Sequence, residues 1–149
     1  MLANWWRELP LSNRFGYAGL LPFLAMAILA LVGFSWGYDG FKVYSIVILA
    51  FMAGACWGVE QAHPHHMAKL PLTISISVSL VALGAYFLPM VFALTVLLLG
   101  YWVLLWVERD ALFRKVYSKS YRHLRWVLSG VVTVLHVVLL ISLMSGSQA

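Results

Sequence analysis

The sequence predicts an all-α polytopic membrane protein: a single transmembrane domain over 1–149, built as a bundle of five transmembrane helices. Three observations predict it. Of the 149 residues, 63% are hydrophobic and only 10% charged, whereas a soluble domain carries roughly a quarter charged residues. The apolar residues are gathered into runs of about the length that crosses a bilayer. The polar gaps between those runs alternate between basic and nearly devoid of Lys and Arg, which is the positive-inside pattern.

The spans fall at about 15–36, 43–59, 70–88, 90–107 and 124–144. The first apolar run is too long for a cleavable signal peptide, and the Ala25–Ala27 triplet sits in mid-run, so this segment reads as a retained span. The stretch from Leu70 to Val107 has no charged residue. As one straight helix it would measure about 57 Å, nearly twice the membrane. Pro89 removes a helical donor and disfavours helix at Leu88, so a tight hairpin is expected near 85–89. Thr73 to Ser79 alternates like a strand, but a membrane barrel needs many such segments. Read as a helix, it puts Ser75 and Ser79 on one face, placed to bond to a neighbouring helix.

With five spans, Arg7, Arg14, Lys69, Arg109, Arg114, Lys115, Lys119, Arg122 and Arg125 share one side, and Lys42 alone lies on the other. The N-terminus is then cytoplasmic and the C-terminus outside, in a multi-pass protein of the bacterial inner (plasma) membrane. Trp5, Trp6 and Arg7 suit a short amphipathic segment on the cytoplasmic face. The net charge of +5 comes from residues flanking apolar runs. It predicts anionic lipid headgroups as partners, and no nucleic acid. The single cysteine, Cys56, lies within a span and excludes an intrachain disulfide.

Four features carry candidate chemistry. In span 2, Ala50, Gly54 and Gly58 recur every four residues with Ala53 and Trp57 beside them. Such a small-residue ridge lets a second helix approach closely, either within the bundle or on a partner subunit or second copy. Gly33 and Gly37 form a weaker ridge. The run Glu60, His63, His65 and His66 combines a carboxylate and imidazoles that suit a transition metal, with Glu108, Asp110 and His123 on the same side; its alternative is a solvated histidine loop. His136 lies about 16 Å into span 5, a depth at which an ionisable group is a candidate for proton relay, quinone contact or haem ligation. The alternative is a neutral imidazole bonded to Ser75, Ser77, Thr95, Thr133 or a backbone carbonyl. Finally, Glu108, Arg109 and Asp110 at the end of span 4 read as a solvated, mutually paired set, as do Asp39 and Lys42.

Three motifs resemble those of a family of small, uncharacterised multi-span inner-membrane proteins with bacterial and mitochondrial members. They are Gly16–Phe23 (GYAGLLPF), Tyr44–Gly58 (YSIVILAFMAGACWG) and Tyr121–Arg125 (YRHLR). Where that family usually has a basic residue or histidine before its second-span Trp-Gly, this chain has Cys56. The resemblance implies a multi-span membrane protein and no established activity.

No Gly-rich phosphate loop and no nucleophile–base–acid triad occurs. The sequence therefore favours a non-enzymatic accessory, assembly or interaction subunit that docks to other membrane proteins. The alternatives are a small transporter or channel using His136 and the span 3 serines, and a metal-binding or redox protein using the 60–66 cluster.

Overall fold

The computed structural model describes residues 10–63 and 69–146, and of Ser12 the backbone alone. Those residues form helices joined by short turns: α1 (Leu11–Ala18), α2 (Leu20–Leu31), α3 (Ser35–Ala62), α4 (Lys69–Ala85), α5 (Met90–Val107), α6 (Ala111–Val116) and α7 (Lys119–Gly146). Trp5, Trp6 and Arg7, read as an amphipathic segment, lie outside the described residues, as do His65 and His66.

Among the described residues, four helical stretches are long and apolar enough to cross a membrane: Asn13–Leu31, Ser35–Ala62, Met90–Val107 and Lys119–Gly146. A fifth, α4, is apolar but has 17 residues, about 25 Å of helix. These five rods close into a ring in which α2 packs on α3, α3 on α4, α4 on α5, α5 on α7, and α7 back on α2, while α3 also touches α5. Hence α3 and α5 run parallel and α7 runs opposite to both.

The first reversal differs from the sequence reading. Residues 37–42 were expected as a polar loop, yet they are helical and belong to α3. The turn sits earlier, at 32–34, where Gly33 adopts φ +103°, a conformation open to glycine at little steric cost. Gly37 explains why the helix can start so soon after it. A Cβ on Gly37 would collide with the backbone nitrogen of Ala30, so only glycine lets α3 lie against the end of α2. Asp39 and Lys42 then fall one helical turn apart, with 4.0 Å between their charged atoms.

Asn13–Leu31 is itself interrupted at Gly19. Pro22 has no N–H to offer the carbonyl four residues earlier, so the ladder is broken there. The Tyr44 hydroxyl donates to the Gly19 carbonyl at 2.9 Å and ties the break to α3. At the α4–α5 reversal the chain turns over 86–88, and Pro89 caps α5. α6 is a short helix that the sequence reading left as loop. The Asp110 carboxylate starts it by accepting from the Leu112 N–H at 3.0 Å, an N-cap of the usual kind.

One further expectation is corrected. Ser75 and Ser79 do not bond across to another helix. Each donates to the carbonyl four residues back in α4, Pro71 at 2.8 Å and Ser75 at 3.3 Å. Of the ridge on α3, Ala53 is buried within the bundle and Ala50 is half-buried. Gly54 and Gly58 are exposed, and a Cβ on either would meet nothing within 4 Å. The buried stripe of α3 is instead Phe41, Ser45, Leu49, Met52, Ala53, Cys56 and Glu60, offset from the ridge by roughly one residue.

Candidate functional site

Among the described residues, two polar clusters and a cavity stand out in a mainly apolar core, which also buries Asn13 and Glu60. The first cluster lies at mid-bundle, where α3, α5 and α7 meet. His136 is fully buried. Its Nδ1 lies 2.8 Å from the Val132 carbonyl, which can only accept, so Nδ1 carries the proton. Nε2 then accepts from the Ser45 hydroxyl at 3.1 Å. The partner is Ser45 on α3, not the serines and threonines that the sequence suggested. Ser75, Thr95 and Thr133 bond carbonyls of their own helices. Tyr101 donates to the Ser45 carbonyl at 3.0 Å, and its ring and that of Phe41 meet the imidazole edge-on, at 5.9 and 4.8 Å. Both nitrogens of His136 are thus engaged by protein groups. A metal or haem iron could be ligated only after one of those bonds broke.

The second cluster lies at the end of the bundle where α3 and α5 finish and α7 begins. Arg125 is 3% exposed and Glu108 9%. Arg125 donates from Nε to Glu108 Oε2 at 2.9 Å and from Nη2 to Oε1, the two-pronged geometry in which guanidinium matches carboxylate. The Cys56 thiol donates to Glu108 Oε1 at 3.4 Å. Tyr117 closes the cluster, its phenol pushed above the ordinary tyrosine range, first by burial and then by the nearby Cys56 and Glu108. This arrangement overturns the reading of Glu108, Arg109 and Asp110 as one solvated set. Glu108 turns inward to Arg125, Asp110 caps α6, and Arg109 lies 5.3 Å from the Trp126 ring centre. The pair ties the end of α5 to the start of α7 across 17 positions. It carries no net charge, which is what allows it to be buried.

The metal cluster is represented by Glu60 and His63 alone. Glu60 is fully buried near the end of α3. His63 follows the last helical residue and keeps its Nδ1 2.9 Å from the Val59 carbonyl. His123 is exposed, and Glu108 and Asp110 are committed as described. Among the described residues no three His, Cys, Asp or Glu side chains come close enough to hold a metal ion.

The cavity, of about 530 Å³, lies between α1–α2, α3 and α7. Its walls include Phe15, Phe23, Tyr44, Tyr121, Arg125 and Ser129. Nothing in the sequence marks it, because its residues come from five helices and each looks like an ordinary core or interface position.

The family pattern for the protein of unknown function (DUF3429) matches residues 10–141. The chain belongs to that family. The match takes in both polar clusters, the cavity and all the motifs on which the resemblance rests. No significantly similar curated protein or solved structure is found.

Proposed function

We propose that this DUF3429 member is a five-span protein of the bacterial inner membrane, N-terminus in the cytoplasm, that serves as an accessory or assembly subunit by docking α3 against another membrane protein. The observation that carries the reading is the unused ridge. Gly54 and Gly58, beside the exposed Trp57, face outward from the bundle, and Ala50 above them is half-buried. Small residues at this spacing favour close helix–helix approach in lipid, where packing replaces the hydrophobic drive. The same chain uses Gly37 for such an approach to Ala30, so it has left Gly54 and Gly58 open while closing the other site. The five-span topology is supported by the ring of five rods and by Lys42, which reaches the Tyr86 carbonyl at 3.5 Å at the end away from Lys69, Arg109, Arg114, Lys115, Lys119 and Arg122. His136, Glu108 and Arg125 each bond to protein groups, which favours a structural part for them over catalysis.

A photo-crosslinking amino acid at Trp57, compared with one at the exposed Phe92 or Leu99 of α5, tests the docking reading in intact cells. Discrete protein adducts are expected from α3 only, and Gly54→Leu should abolish them. Adducts of equal yield from both helices, or none from α3, would refute it.

A further inference from the structure

The Ser129 hydroxyl is out of pattern. Thr73, Ser75, Ser79, Thr95 and Thr133 all donate to the carbonyl four residues back, the usual refuge of a hydroxyl on a helix. Ser129 does not. It is 2% exposed, its oxygen has no hydrogen-bond partner, and it lines the 530 Å³ cavity. That volume lies in the range of pockets that hold small molecules. A buried hydroxyl left unpaired is destabilising, so an acceptor inside the cavity is the missing piece.

The walls say what kind of molecule carries that acceptor. Along α7 they run Tyr121, Arg125, Ser129, Val132, from polar to apolar over about 16 Å. Leu20 and Phe23 of α2 add to the apolar part of the wall. Phe15 and Phe51, at 69% and 72% exposure, form an apolar rim on the outer face of the bundle, so entry is from the side. Arg125 is neutralised by Glu108, so the interior offers no fixed net charge to an ionic ligand. The basic residues Lys119 and Arg122 stand nearby at the start of α7, where a phosphate would be held. A phospholipid has the same order: anionic phosphate, neutral ester carbonyl, long apolar chain.

We propose that the cavity between α1–α2, α3 and α7 is a binding site for one acyl chain of a bilayer phospholipid, with Ser129 donating to its ester carbonyl. This inference rests on the membrane-spanning reading. The first methylenes after the ester pack against Phe23 and Val132, the rest of the tail leaves between Phe15 and Phe51 into the bilayer, and the headgroup stays at the basic end.

The test uses the full chain in vesicles of phosphatidylethanolamine and phosphatidylglycerol, containing a phosphatidylethanolamine with a diazirine in its acyl chain. After illumination, adducts are mapped by peptide mass. Flotation of the same vesicles reports insertion, and thermal stability reports folding. Adducts concentrated on Leu20, Phe23, Tyr44 and Leu128 are expected. Ser129→Ala should reduce them about three- to tenfold, the effect of one buried hydrogen bond. Ser129→Met, which fills the space, should abolish them. Both variants should float and melt like the parent. Adducts spread evenly over exposed α5 and α7 positions would overturn the proposal, as would displacement of the probe by an equimolar isoprenoid quinone. Should Ser129→Met fail to fold, Leu20→Trp blocks the same cavity, and unchanged adduct yield in that variant would also overturn it. Failure of the parent to float would refute the membrane reading itself and remove the proposal with it.

Discussion

Replacing Arg125 by Leu removes the cation from a carboxylate that has no other charged partner among the described residues. The pair attracts by about 4 kcal/mol at roughly 4 Å between charge centres and an effective dielectric of about 20, before the desolvation of both ions is subtracted. Removing one partner does not simply forfeit that attraction. It leaves Glu108, 9% exposed, facing leucine and the Cys56 thiol. A buried pair broken on one side costs about 3–5 kcal/mol. Glu108→Leu should cost a similar amount, by stranding Arg125. The double variant Glu108→Leu/Arg125→Leu should recover most of the loss, because no charge is then stranded and apolar replacements of buried pairs are often close to neutral. The assay is a double-mutant cycle on the purified protein, unfolded reversibly in mixed micelles of increasing denaturing-detergent fraction. A coupling of about 3 kcal/mol or more is expected. Single variants that each cost under about 1 kcal/mol, as exposed ion pairs do, would refute the reasoning. So would a double variant whose loss equals the sum of the singles.

Three other outcomes follow from the packing. His136→Ala removes the imidazole from Phe41 and Tyr101 and leaves the Ser45 hydroxyl only its long 3.4 Å bond to the Tyr101 hydroxyl, so it should cost about 2–4 kcal/mol; Ser45→Ala should cost about 1 in the same micelle titration. Gly37→Val forces a side chain into the Ala30 backbone and should destabilise by about 3 kcal/mol or more, whereas Gly54→Ala, with nothing within 4 Å, should change the melting temperature of the isolated protein by no more than a degree or two. Cys56 is fully buried against Glu108, and thiol reactivity needs access; maleimide labelling in mild detergent should proceed only at the rate of global opening and accelerate sharply in Arg125→Leu.

Much of this fold is written in the distribution of apolar residues. Pro89 and the uninterrupted stretch before it call for a reversal, and the chain turns over 86–88. Glu108 illustrates where such reading stops. Beside Arg109 and Asp110 it looks like a solvated charge, because the carboxylate's partner, Arg125, lies 17 residues away on another helix and was itself counted as a flanking cation. Composition says that buried charges must pair and is silent on which ones do. The ridge on α3 shows a second limit. Spacing by four gives a face, but Ala53 and Cys56 make the adjacent face nearly as small, and only the arrangement of α2, α4 and α5 around α3 decides which one is covered. Gly33 and Gly37 read as a ridge because their spacing is also four. Their actual parts, a positive-φ turn and a backbone contact, depend on conformation and on Ala30. The cavity is the least legible feature of all, since what marks Ser129 is a bond it does not make.

The membrane topology is tested most directly by single cysteines introduced in a Cys56→Ser background at Lys115 and at Gly146, labelled with an impermeant maleimide in oriented inner-membrane vesicles. Lys115→Cys should react only in inverted vesicles and Gly146→Cys only in right-side-out ones. Labelling of both positions from the same face would contradict five crossings and a basic cytoplasmic end.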